Sequence, residues 1–70
     1  NLSIAPNPVN DVLHFTGTDD ITAITIVDAA GRTVLQSTGN DVSVSHLSAG
    51  IYYVSATIGT TVTTVKMVKQ

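Results

Sequence analysis

Hydrophobic and polar residues alternate along most of this chain with a period of two, the spacing that puts every second side chain on one face of a β-strand. A long alternation that carries aromatic residues follows the Leu47-Ser48-Ala49-Gly50 turn and runs from Ile51 to Ile58. Tyr52, Val54, Ala56 and Ile58 share one face, and Ile51, Tyr53, Ser55 and Thr57 share the other. Aromatic residues inside so long a run predict a strand at the centre of a sheet. A tyrosine just past a turn with Leu and Gly predicts a tyrosine corner, with its ring inward and its hydroxyl bonded to backbone a few residues upstream. The alternative is an ordinary strand aromatic, since pleated surfaces favour Tyr.

Six further runs complete the pattern. Asn1 to Ala5 predicts an edge strand, and Pro6-Asn7-Pro8 then forces a kinked, extended segment, because neither proline has an N–H to give a ladder. Asp11 to Thr16 places Leu13 and Phe15 inward and Val12 and His14 outward; Gly17 to Asp20 is a turn. In Ile21 to Asp28 the alternation sets Ile21, Ala23, Thr25 and Val27 against Thr22, Ile24, Ile26 and Asp28, and apolar residues on both faces predict an interior strand. Asp28-Ala29-Ala30-Gly31 reads as a hairpin turn, opened by the aspartate and closed by a left-handed glycine. The return from Arg32 to Thr38 is expected to turn Val34 and Gln36 toward its partner and Leu35 away. Val42 and Val44 mark a short strand with Ser43 and Ser45 in water, and His46 belongs to the turn before Leu47. Gly59-Thr60 closes a tight hairpin into Thr61 to Lys69, where Val65 and Met67 face in and Lys66 and Val68 face out; the face of Val62 stays open. Seven short strands with a turn about every ten residues predict an all-β fold, a small seven-stranded antiparallel immunoglobulin-like β-sandwich.

Composition agrees. Eleven Thr, ten Val and six Ile are β-branched residues, stiff at χ1 and suited to pleated surfaces. Seventy residues make a single domain, 1–70, in which about 60% of the unfolded chain's surface can be buried. No cysteine is present, so neither a disulfide nor a thiolate metal site contributes. A net charge of −2, with Arg32, Lys66 and Lys69 as the basic residues, gives no footprint for nucleic acid, and no apolar run nears the length of a membrane span. Neither nucleic-acid binding nor membrane insertion is expected. The chain starts at Asn1 without a signal-peptide pattern, which suggests a piece excised from a larger secreted protein.

Candidate chemistry is sparse. His14 lacks a second ligand type at metal spacing and reads as an exposed strand residue. Asp19 and Asp20 suit a solvated turn better than a Ca²⁺ loop, which needs alternating carboxylates closed by a Glu that this chain lacks. Asn1-Leu2-Ser3 matches a glycosylation triplet, a pattern common by chance. The serines do not lie in a Gly-x-Ser-x-Gly elbow and there is no Gly-rich phosphate loop, so no catalytic residue, cofactor site or metal site is assigned and no enzyme is expected.

Four stretches taken together are similar to the C-terminal sorting domain of cargo proteins exported by the type IX secretion system. That family carries a Tyr/Ala-Pro-Asn-Pro signature, matched by Ala5-Pro6-Asn7-Pro8 and followed by a short strand like Asp11-Val12-Leu13. Its hairpin of aspartate, two small or apolar residues, Gly-Arg and Val is matched at Asp28, Gly31, Arg32 and Val34. Its Leu-x-x-Gly-Ile-Tyr-x-Val is matched by Leu47, Gly50, Ile51, Tyr52 and Val54, and its basic tail by Lys66 to Lys69, although Thr61 to Thr64 replaces positions often held by Lys.

The resemblance implies a non-catalytic monomeric label without cofactor, joined to an N-terminal cargo domain of a Gram-negative bacterium. It would fold in the periplasm, address its cargo to translocon components in the outer membrane, and reach the cell surface or the medium. There a sortase-like peptidase would remove it and could anchor the cargo to lipopolysaccharide. Under this reading Lys66, Met67, Val68, Lys69 and Gln70 are the candidates for translocon recognition. The last strand would offer an open edge for strand addition, with Lys66 and Lys69 as charged gatekeepers. An immunoglobulin-like spacer or a carbohydrate-binding appendage of an extracellular enzyme is the alternative, with Tyr53 as its one candidate sugar platform.

Overall fold

A computed structural model describes residues 3–16 and 21–70. The chain forms β1 (Ser3–Ala5), β2 (Val12–Thr16), β3 (Ile21–Asp28), β4 (Thr33–Ser37), β5 (Asp41–Ser43), β6 (Gly50–Ile58) and β7 (Thr61–Lys69), with no helix among the described residues. They pair into two antiparallel sheets, ordered β1-β2-β5 and β4-β3-β6-β7. This is the predicted all-β sandwich, with the Tyr52 strand in the interior of the larger sheet. The predicted Gly17 to Asp20 turn and the Asn1-Leu2-Ser3 triplet fall wholly or partly outside the described residues.

The core lies between the sheets. Leu13, Phe15 and Val42 come from the smaller sheet, and Ile24, Ile26, Val54, Ala56 and Met67 from the larger. Connecting segments add Val9 and Val44, both fully buried. Polar alternates such as His14, Ser43 and Thr64 stay outside, so the period-two pattern of β2, β5, β6 and β7 reads directly as inside and outside. Val62, left open by the sequence, lies on the outer face beside Thr57 and is 62% exposed.

Two bulges correct the pattern elsewhere. In β3 the register shifts between Ile21 and Ala23, so one extra residue, Thr22, separates them. Ile21 therefore joins Ile24 and Ile26 in the core, and does not share the face of Ala23, Thr25 and Val27. The Thr22 hydroxyl donates to the Thr57 carbonyl at 3.0 Å across this irregularity. In β4 a second shift leaves Val34 without a partner between Thr33, opposite Val27, and Leu35, opposite Ile26. Leu35 consequently packs on the core while Val34 and Gln36 point to solvent, the reverse of the expected assignment.

Candidate functional site

The turns that carry the family-like motifs are built by side chains bonding to backbone. At the β3–β4 hairpin the Asp28 carboxylate accepts from Ala30 N at 3.0 Å and Arg32 N at 2.9 Å, and Arg32 Nε lies 3.3 Å from its other oxygen. The main chain closes the same turn, with Gly31 N donating to Asp28 O at 3.0 Å and Asp28 N to Arg32 O at 2.9 Å. Gly31 has φ +89°, a left-handed conformation that a Cβ would strain. The Arg32 N–H is the main cause that holds the Asp28 carboxyl below its ordinary value of 3.8; partial desolvation opposes it, and the Ala30 N–H and the Arg32 charge add to it.

The predicted corner is present. The Tyr52 ring is buried and its hydroxyl donates to the Ser48 carbonyl at 2.7 Å, fixing the approach into β6. A turn from Val44 O to Leu47 N, at 3.0 Å, brings Leu47 down onto the core. Gly50, with φ +152°, then starts the strand in a conformation that residues with a Cβ rarely adopt.

Register gathers these features at one end of the larger sheet. Asp28 lies opposite Tyr52 and Tyr52 opposite Met67, while Gly50 lies opposite Lys69. The Pro6-Asn7-Pro8-Val9 segment, whose two X–Pro bonds are cis, reaches the same end along the outer edge of β7. There the Asn7 amide donates to Lys66 O at 3.2 Å and accepts from Val68 N at 2.9 Å. Val9 N donates to Val68 O at 2.8 Å, and Gln70 N donates to Val9 O at 2.9 Å. All four motif blocks thus meet around the end of β7.

The five tail candidates do not share one surface. Lys66 and Gln70 are exposed and Val68 is half-buried, but Met67 is sealed in the core. Lys69, expected as an exposed gatekeeper, is also buried, because odd positions of β7 face inward; its Nζ donates to the main-chain oxygen of Gln70 at 2.9 Å. The edge expected to be open is closed from Lys66 to Gln70 by Asn7 and Val9. Sequence reasoning missed this contact, and Val9 with it. The available signal was an apolar residue directly after Pro8, in a segment that cannot itself be a regular strand.

Among the described residues no group of three or more His, Cys, Asp or Glu could hold a metal ion. His14 is exposed as expected, with Nδ1 2.7 Å from Asp41 Oδ1 on the neighbouring strand β5. Tyr53 stands on the outer face of the larger sheet, opposite Val27 and Lys66, with Ile51 and Val68 paired two residues along. It is 41% exposed, and among the described residues no second aromatic ring shares that face. A family model for a secretion system C-terminal sorting domain matches residues 3–70. Comparison with curated proteins and with solved structures gave no match.

Proposed function

From the premise that this chain belongs to the family of type IX secretion C-terminal sorting domains, we propose that it is the address of a larger secreted protein, presented as a folded domain. The observation that carries this reading is the family match over residues 3–70. The fold supports it: the motif residues Pro6, Asn7, Pro8, Asp28, Gly31, Arg32, Leu47, Gly50, Tyr52 and Val54 serve turns, edges and core. They build a frame, and no reaction is assigned to them. Lys66, Val68 and Gln70 offer the side chains of the tail that remain accessible on that frame.

In this proposal the domain folds in the periplasm of a Gram-negative bacterium as a monomer behind its N-terminal cargo and docks on translocon components at the outer membrane. The cargo then reaches the surface or the medium, where a sortase-like peptidase removes the domain and can transfer the cargo to lipopolysaccharide. The test is a periplasmic reporter carrying this chain at its C-terminus in a bacterium with a type IX system. Surface or extracellular reporter is expected with the chain and periplasmic reporter without it. Delivery that is indifferent to the chain, or equal when the chain is moved to an internal position, would favour a spacer.

A further inference from the structure

Rows of side chains cross the outer face of the larger sheet, and the strand register reads them off in turn. Ala23, Thr57 and Val62 form one row and Thr25, Ser55 and Thr64 the next, with the Ser55 and Thr64 hydroxyls 3.1 Å apart. Val27, Tyr53 and Lys66 follow, and beyond them Ile51 stands opposite Val68. The solvent face of an antiparallel sheet is ordinarily polar. Here it turns apolar at the end where the motif blocks meet: Ile51 and Tyr53 are exposed, and Val27 and Val68 are half-buried. The first two rows hold Val62 as their one large apolar residue. Apolar side chains gathered in water at one end of a face, with a charged residue at their rim, mark a contact surface.

Charge selects the occupant. The chain carries −2 overall, yet in the four rows above there is no carboxylate, and Lys66, exposed beside Tyr53, gives the patch a positive charge. A second copy laid on this patch by two-fold symmetry would bring one Lys66 toward the other with no carboxylate in these rows to answer either. An anionic lipid surface is held by clusters of roughly four to eight basic residues, and this patch has one, on a chain whose net charge such a surface repels. A protein surface that sets a carboxylate among apolar side chains meets both features. Resting on the sorting function proposed above, we propose that Val27, Ile51, Tyr53, Lys66 and Val68 form the docking face for the export machinery, and that the partner is a protein surface whose carboxylate pairs with Lys66. Lys66 and Val68 then act together with Ile51 and Tyr53, which lie outside the tail.

The test is surface delivery of the reporter fused to wild-type, Lys66→Arg, Lys66→Glu, Tyr53→Ser and Val62→Glu chains, with urea unfolding of each 70-residue chain alongside. Lys66→Glu and Tyr53→Ser should lower delivery at least tenfold while unfolding near the wild-type midpoint. Lys66→Arg, which keeps the charge, and Val62→Glu, which adds a carboxylate at the far end of the same face, should deliver like wild type. Wild-type delivery matched by Lys66→Glu and Tyr53→Ser would overturn the docking face and leave the sorting function standing; a wild-type chain that is not delivered would overturn both. If Tyr53→Ser does not fold, the exposed Lys66 decides, and equal loss from Lys66→Arg and Lys66→Glu would overturn the carboxylate partner. Two measurements on the purified chain test the other occupants. Flotation with vesicles of phosphatidylethanolamine and phosphatidylglycerol that Lys66→Glu abolishes, or a dimer in sedimentation that Tyr53→Ser disperses, would overturn the proposal in favour of a lipid or a second copy.

Discussion

The two halves of β7 show how one strand can be governed by different parts of the chain. Among the described residues Thr61 to Val65 pairs with β6 alone, packs little and has no strand on its outer edge. Lys66 to Lys69 pairs with the same strand, yet it sinks Met67 into the core, buries Lys69, and has its edge closed from about sixty residues upstream. The first half is β-branched at every position and the second only at Val68, so strand propensity would favour the half that is held less tightly. The difference lies in what the second half meets: the row of Asp28, Tyr52 and Met67 on one side and the Pro6-Asn7-Pro8-Val9 segment on the other. Motif residues that look like a label for recognition are first the means of fixing this end of the sheet.

The contrast is sharpest in the core. Met67→Ala should destabilise by about 2 to 5 kcal/mol through the lost side chain and the cavity it leaves. Val62→Ala, five residues earlier on the exposed face, should stay within about 0.5 kcal/mol. Urea unfolding midpoints of the two variants measure the gap, and equal shifts would erase the distinction between the halves. At the edge, Asn7→Ala should cost about 1 to 2 kcal/mol for two hydrogen bonds. Thr64→Ala, which loses an exposed hydroxyl contact of 3.1 Å with Ser55, should cost no more than about 0.5. Thermal melts would show the ranking.

Tyr52→Phe keeps the ring beside Met67 and removes only the bond to Ser48 O, so a loss of about 1 kcal/mol is expected. A melting temperature equal to wild type would remove the corner from the account. The smallest effect is electrostatic. Because the folded Asp28 carboxyl sits below its ordinary 3.8, its contribution is in place above that value and is lost as pH falls through the lower folded value. Stability should drop on acidification through this range, and Asp28→Asn should flatten that part of the profile. An unchanged acid limb in Asp28→Asn would show that the hairpin does not carry it.

Much of this was legible in the sequence because a half-buried strand writes its geometry in a two-residue code. Tyr52, Val54 and Ala56, Leu13 and Phe15, and Val42 and Val44 all lie inside as the alternation requires. The turns at Asp28 and Gly50 were equally readable, since each depends on a residue type with a local mechanism. The code fails where the count of two is broken. Thr22 and Val34 each add a residue to one side of a ladder, which puts Ile21 on the face of Ile24 and Ile26 instead of that of Ala23, and turns Leu35 inward against expectation. It also cannot report contacts between distant segments. Asn7 reads locally as a residue trapped between prolines, and only the fold brings it to Lys66 and Val68. Lys69 was misassigned for a related reason: charge argued for solvent, while strand parity argued for the interior and prevailed.

On the proposed function, the address is read as a folded domain and not as a linear peptide. The most direct test is surface delivery of a reporter fused to wild-type, Met67→Leu and Met67→Asp chains. A carboxylate buried without a partner at position 67 is incompatible with this core, whereas leucine conserves its volume. Delivery should persist with wild type and Met67→Leu and vanish with Met67→Asp. Undiminished delivery by Met67→Asp, with Lys66, Val68 and Gln70 unaltered, would contradict this reading.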